Sequence, residues 1–379
     1  MAGRMMMESG PLTGPVPTDG SADGTHPRPA ELSGVPAKPN PGTANPSNGD
    51  IDGTFWRRFT FRRPLVALIL QRLGLSVGLL FAVSLMISGG IEALPGDFAT
   101  TYLGQSATPQ AVENIRKDLG LDKPWSERYL SWLGGAVQGD FGTSWASKNS
   151  VGEQISKRLG NSLFLAFFAA LVSVPLAVGL GMLAVQFRNR LPDKIINVVS
   201  LAAISLPEFF VGYLLIMFFA VQYGVATFPA TVYDSMTLTE RLSAIALPVA
   251  TLVLVVLAHM MRMTRAAILN VMSSAYVETA ELKGLSMFRI IARHAAPNAV
   301  APVINVIALN LAYLVVGVVV VEVVFVYPGM GQYMVDAVTV RDMPVVQACG
   351  LIFAAFYIFL NMAADILAII ANPRLRHPR

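Results

Sequence analysis

The chain has 379 residues, 54% of them hydrophobic and only 14% charged, with a formal net charge of +4 and a mean hydropathy of +0.55. Soluble domains carry about a quarter charged residues, so much of this surface faces something other than water, and a bilayer is the reading that composition favours. The basic balance does not require nucleic acid, because membrane proteins concentrate Lys and Arg in cytoplasmic loops, and a single cysteine, Cys349, excludes disulfide frameworks and cysteine metal clusters.

Residues 1–60 open the chain with Gly, Pro, Ser, Thr and Asn, as in Lys38-Pro39-Asn40-Pro41-Gly42. Such a segment buries too little apolar surface to offset the entropy of ordering it, so a disordered cytoplasmic tail is expected. It contains no apolar core of a cleavable signal peptide. About 20 apolar residues cross a hydrocarbon core as helix, and stretches free of Asp, Glu, Lys and Arg run over Leu73–Ile91, Leu159–Phe187, Leu242–Met261, Ala295–Val321 and Met343–Ala364. A further span starts at Ile195, is interrupted at Pro207-Glu208 and resumes from Phe209 to Gln222. An all-α integral membrane protein with six spans is the expected fold class. Pro175, Pro248 and Pro302 fall in or near spans, which packed membrane helices tolerate, whereas Pro207 is expected to kink or start the third.

Basic residues fix the orientation. One side collects Arg57, Arg58, Arg62, Arg63 and Arg72, then Arg188, Arg190 and Lys194, then Arg262, Arg265, Lys283, Arg289 and Arg293, then Arg374, Arg376 and Arg379. The opposite short loops hold only Arg241 and Arg341, so both termini are expected in the cytoplasm. The long segment 92–158 is then external, with a helical pattern from Pro109 to Leu119. Trp125, Trp132 and Trp145 in that segment, and Trp56 before the first span, fit interfacial anchors. The expected division is a tail over 1–60, the first span and external segment over 61–158, a five-helix core over 159–373 enclosing a cytoplasmic loop at 262–297, and a C-terminus over 374–379.

Ionisable groups at membrane depth are functional candidates by default. Glu208, beside Pro207, is a candidate for the lining of a translocation path, with a helix-end position as the alternative. Glu322, at the outer end of the fifth span, is expected to face that path, an external partner or the interface. Asp365 is expected in a structural pair, for instance with Arg374. His259 is expected to have no proton-relay role. No Gly-Lys dipeptide occurs, so no phosphate-cradling G-x-x-x-x-G-K-[ST] loop exists, H-E-x-x-H is absent, and the G-x-S-x-G match Gly74-Leu75-Ser76-Val77-Gly78 lies inside the first apolar span and not on the strand-to-helix turn that a nucleophile elbow requires. The expectation is a transport subunit with no catalytic residues, no metal and no cofactor of its own.

The cytoplasmic loop carries the most specific pattern. Ser274 can cap a short helix through Tyr276-Val277-Glu278-Thr279-Ala280-Glu281-Leu282-Lys283, and Gly284 supplies the left-handed residue that ends helices. Small Thr279 and Ala280 would let another protein approach closely. An ordinary surface helix is the competing reading. Glu278-Thr279-Ala280, then Gly284, then Pro297 resembles the E-A-A loop of binding-protein-dependent ABC importers, with Thr279 in place of the first alanine. Thr279-Ala280-Glu281-Leu282-Lys283-Gly284 followed by His294-Ala295-Ala296-Pro297-Asn298-Ala299 looks like the peptide/nickel branch. Leu94-Pro95-Gly96-Asp97, Gly139-Asp140-Phe141-Gly142-Thr143-Ser144, Tyr327-Pro328-Gly329-Met330-Gly331 and Asn372-Pro373-Arg374-Leu375-Arg376 extend the resemblance over residues 65–377.

That resemblance implies a permease of the type I ABC importer fold, half of a translocation path for peptides or related small solutes. It implies a second, similar permease, two cytoplasmic ATPase subunits that bind the ATP, an extracytoplasmic solute-binding protein and a lipid environment in the bacterial inner membrane, with no nucleic acid. Tyr276, Val277, Glu278, Thr279, Ala280, Lys283, Gly284, His294 and Pro297 would form the ATPase-coupling loop. Nickel, opines and sugars remain alternative solutes within the class. Outside it, an ion-gradient-driven secondary transporter would call for paired broken helices, and only one broken span, at Pro207, is visible.

Overall fold

A computed structural model describes residues 64–93 and 95–371, with side chains described over 70–93 and 95–367. The tail, Trp56, the basic residues at 57–63, Leu94 and residues 372–379 lie outside the described residues. Helix α1 (Pro64–Glu92) is followed by the short helices α2 (Phe98–Leu103), α3 (Pro109–Asp118) and α4 (Trp125–Val137). Helices α5 (Val151–Gln186), α6 (Leu191–Ser205) and α7 (Glu208–Leu215) follow, the last prolonged by a π turn to Gln222, then α8 (Leu238–Ala244) and α9 (Ala246–Met272). Helix α10 (Ala275–Leu282) lies in the loop that follows α9, and α11 (Met287–Ile290) runs through a π turn into α12 (Ala296–Phe325), before α13 (Met330–Val340) and α14 (Met343–Ala371). Among the described residues five helical runs are long and apolar enough to cross a membrane, and α6 with α7, bent by 100° at Pro207, makes a sixth.

Two spans are longer as helices than their apolar stretches. The helix expected from Leu159 begins at Val151, and the one expected from Ala295 begins at Met287. Hydropathy reports the depth of lipid and not the length of helix, so the charged turns containing Glu153, Lys157 and Arg158, and Arg289 and Arg293, escape it. The π turn at Ile291–Ala295 has a local cause. Pro297 has no N–H to donate and its ring crowds the carbonyl four residues earlier, which a one-residue bulge relieves.

Packing is tightest between α5 and α9. The buried residues of α5 include Ser162, Leu165, Ala169, Ser173, Ala177, Gly181 and Ala184, a stripe at helical spacing made mostly of small side chains. Membrane helices lack a hydrophobic drive to associate, so close backbone approach must supply the contact. At Gly181 a β-carbon would meet Thr264 at 3.0 Å and the Met261 carbonyl at 3.3 Å. The main buried cluster, with Leu165, Leu252, Val256, Met260, Leu314, Val318 and Phe325, lies between α5, α9 and α12.

The segment that carries α2, α3 and α4 is tied down by polar clasps between residues distant in sequence. Ser144 Oγ donates to Asp342 at 2.5 Å, and the amides of Trp145 and Ala146 donate to the same carboxylate at 3.1 Å each. Trp125, Trp132 and Trp145, expected as interfacial anchors, pack against side chains of the chain itself. Trp125 Nε1 donates to Ser88 Oγ at 2.9 Å and its ring stacks on Tyr129, Trp145 meets Phe98 edge-on, and Trp132 packs into a cluster with Met330, Val345 and Cys349. Asp365 is paired, but with Arg72 of α1.

Asp97 caps α2 through the Thr100 amide at 3.0 Å and receives Arg116 Nε at 2.5 Å. Burial pulls this carboxyl upward, but the Thr100 amide, the Arg116 guanidinium and the Thr100 hydroxyl outweigh it and hold it below its ordinary 3.8. A carboxyl depressed in the folded state lends stability above its unfolded pKa and loses it as the pH falls through the folded value. The α2–α3 junction is therefore expected to hold from neutral to mildly acid solution and to loosen only below about pH 3.8, with Asp97→Asn flattening that acid limb. Fluorescence of Trp145, 5.5 Å from the Phe98 ring, reads it.

Candidate coupling loop and translocation residues

Helix α10 follows α9 after only Ser273 and Ser274. The side chain of Ser274 does not cap it, which corrects the expectation. Its Oγ donates back to the Val271 carbonyl at 2.6 Å, while its own carbonyl accepts from the amides of Val277 at 3.0 Å and Glu278 at 3.2 Å. At the other end Gly284 has φ +74°. Its amide donates to Glu281 O at 2.8 Å and that of Leu285 to Ala280 O at 3.3 Å, the paired bonds of a Schellman ending. Leu285 is thereby laid into a small cluster with Val277, Ala280, Ile290 and Met272.

This cluster corrects the role expected of Ala280. Ala280 is 5% exposed and Val277 fully buried, so their modest size serves packing of α10 onto its own chain. The outward face is Tyr276, Glu278, Thr279, Glu281, Leu282 and Lys283 with Gly284, and Thr279 Oγ1 donates to Ala275 O at 2.9 Å. Beyond it Leu282 is 82% and Phe288 65% exposed, with Met287 beside them. Met287 and Phe288 stand outside every sequence motif, and Leu282 enters the sequence reading only as part of the helix pattern. The available signal was position, since Leu282 falls off the 277/280 face. His294 is half-buried in the π turn, where its carbonyl accepts from Asn298 Nδ2 at 2.8 Å, and Pro297 is exposed. Residues 276–284 thus form one rigid unit, and His294 and Pro297 belong to the base of the next span.

The foot of the loop is braced. Arg265 of α9 donates from Nε and Nη2, each at 2.9 Å, to the two oxygens of Asp193 in α6. The same carboxylate accepts the Asn189 amide at 2.9 Å and Asn197 Nδ2 at 2.7 Å.

The two acids at membrane depth have different environments. Glu208, first residue of α7, is half-buried against Gly317 of α12, where a β-carbon would overlap its carboxylate. Its Oε1 is buried without a hydrogen-bond partner among the described residues. Glu322 is 0% exposed, which corrects its expected place on a path or at an interface. It accepts from Ser162 Oγ at 2.5 Å and from the amides of Gly331 at 2.7 Å and Gln332 at 3.2 Å, while Ser162 Oγ accepts the Met330 amide at 2.8 Å. The first three amides of α13 are therefore satisfied by residues of α5 and α12, in place of a local cap. His259 is exposed with its ring 6.4 Å from that of Tyr313. Among the described residues no group of three or more His, Cys, Asp or Glu could hold a metal ion.

Residues 173–377 match the family described as binding-protein-dependent transport system inner membrane component, and residues 65–166 match its N-terminal companion family. The chain is 36% identical over 309 residues to the glutathione transport system permease protein GsiC of Escherichia coli (strain K12), covering 82% of this chain and 98% of that protein. Its likeness to the protein of the same name from Shigella flexneri serotype 5b (strain 8401) is 35% over 309 residues, with the same coverage. These matches bear out the importer resemblance and set aside the ion-gradient reading. With its helical spans and the span broken at Pro207, the chain belongs to the binding-protein-dependent transport system inner membrane component family, as a multi-pass inner-membrane permease of a peptide-type ABC importer.

Proposed function

We propose that this chain forms one half of a translocation path for peptides or peptide-like small solutes and is driven through residues 276–284 by an ATPase. A second, similar permease supplies the other half, two cytoplasmic ATPase subunits bind and hydrolyse the ATP, and an external binding protein delivers the solute. The chain itself carries no catalytic group, and both termini lie in the cytoplasm. The observation that supports this best is α10 itself, a short rigid helix closed at Gly284 with Leu282 and Phe288 exposed beside it. Exposed apolar side chains in a charged loop mark a protein contact. Glutathione, a tripeptide, is the solute named for the relatives, and peptide-sized substrates follow for this chain by that likeness.

The test is co-purification of the permease with its ATPase subunits, comparing the native chain with one whose residues 276–284 are replaced by a Gly/Ser stretch. Loss of the ATPase from the second complex, with the permease still inserted, is expected. An equally stable complex would remove the assigned role.

A further inference from the structure

We propose that the Arg265–Asp193 fork is the joint that carries displacement of α10 into α6, so that α6 acts as a lever whose far end positions Glu208. This rests on the coupling role given above to residues 276–284.

The near end is stiff. Two residues separate α10 from α9, Ser274 Oγ is hydrogen-bonded to Val271 O, and Val277 and Ala280 pack on Met272. A push on α10 therefore moves the end of α9. Arg265 lies two turns up α9 from Met272, and both its bonds to Asp193 are 2.9 Å. A two-pronged guanidinium–carboxylate pair fixes orientation as well as distance. The Asp193 side chain is only 5% exposed, and the Asn189 amide and Asn197 hold it from the other side. The carboxylate also sits in the first turn of α6, where the helix dipole favours negative charge.

The rest of α6 is held differently. Its inward stripe continues through Ile196, Asn197, Ser200, Ala203 and Ile204, mostly small or polar, while Val198, Val199, Leu201 and Leu206 are exposed. Among the described residues the hydrogen bonds that tie α6 to another helix are those of Asp193 with Arg265, so the polar grip on α6 is at its first turn. With 15 residues, α6 is a rod of about 22 Å. It stops where Leu206 turns extended, with ψ 132°, and Pro207 cannot continue the hydrogen-bond ladder. Helix α7 leaves at 100°, and its first residue is Glu208, whose carboxylate occupies the notch left by Gly317. A rod gripped at one end and jointed at the other converts a small rotation at Asp193 into a shift of Glu208 against α12.

The test uses the complete transporter in proteoliposomes with Cys349→Ala. Nitroxide pairs at Val137 and Tyr213, and at Val137 and Ser273, all exposed, are measured by pulsed spin resonance without nucleotide and after trapping with ATP and vanadate. In the otherwise native protein both distances are expected to change. In Asp193→Asn, and in Arg265→Lys, which keeps the charge and loses the fork, the change at Ser273 is expected to persist and that at Tyr213 to vanish. Stimulation of ATP hydrolysis by loaded binding protein should fall about fivefold or more. A Tyr213 change that survives both substitutions would overturn the lever and leave the coupling role of α10 standing. An otherwise native protein in which Ser273, at the root of α10, does not respond would overturn the coupling role, and the lever with it.

Discussion

Glu322→Ala is expected to be the most damaging single substitution in the chain, costing roughly 3–9 kcal/mol because three buried donors are left unsatisfied at about 1–3 kcal/mol each. The carboxylate is fully enclosed, and its removal strands the Ser162 hydroxyl and the amides of Gly331 and Gln332 together. The neighbouring backbone closes around it. A β-carbon at Gly331 would come within 2.7 Å of the Val319 Cα, and one at Gly329 would overlap the Glu322 carboxylate. Glu322→Gln preserves the volume but turns an amino group toward donors, so an intermediate loss is expected. Thermal unfolding of the purified permease in detergent measures both, and an unchanged melting temperature in the alanine variant would contradict the capping role.

Gly284→Val is expected to abolish coupling while leaving the spans inserted. The residue stands at φ +74°, where a side chain costs about 1–2 kcal/mol and a β-branched one sits worst. A β-carbon there meets nothing within 4 Å, so the loss comes from the backbone and not from a clash. Relief of that strain breaks the Leu285-to-Ala280 bond, lifts Leu285 out of its cluster and changes the angle at which α10 is presented. Solute uptake by the reconstituted importer is expected to fall at least about tenfold, the equivalent of 1.4 kcal/mol. Gly284→Asn, a residue that tolerates this conformation, should retain most of it. Normal uptake by the valine variant would show that the ending of α10 does not matter.

The spans were legible because lipid imposes a length and a polarity that few other environments demand. Helix α3 and the Gly284 ending were legible because their signals lie within a turn of the residues they control. Asp342 with Ser144, Glu322 with Ser162, and Arg265 with Asp193 are 198, 160 and 72 residues apart, and no local pattern announces them. Glu322 therefore reads as an acid at the end of a span, when its partners are amides that the α12–α13 corner folds back onto it. Ala280 misleads for a related reason. Smallness in a loop is compatible with an approaching partner or with a helix laid on its own chain, and only the position of Ile290 decides between them. Ser274 shows the limit of a cap signal, since a hydroxyl that can reach forward to an amide can also reach back to Val271.

Helix α5 runs unbroken through 36 residues, about 54 Å. Its first two turns precede the apolar stretch, and there Val151 and Ile155 share a cluster with Met330 and Val345. The platform of short helices at this end is therefore an extension of a long rod and not a separate lid on a tether. Any lean of that rod swings the platform with it, so a protein resting on the platform would feel the permease change state without touching the pore.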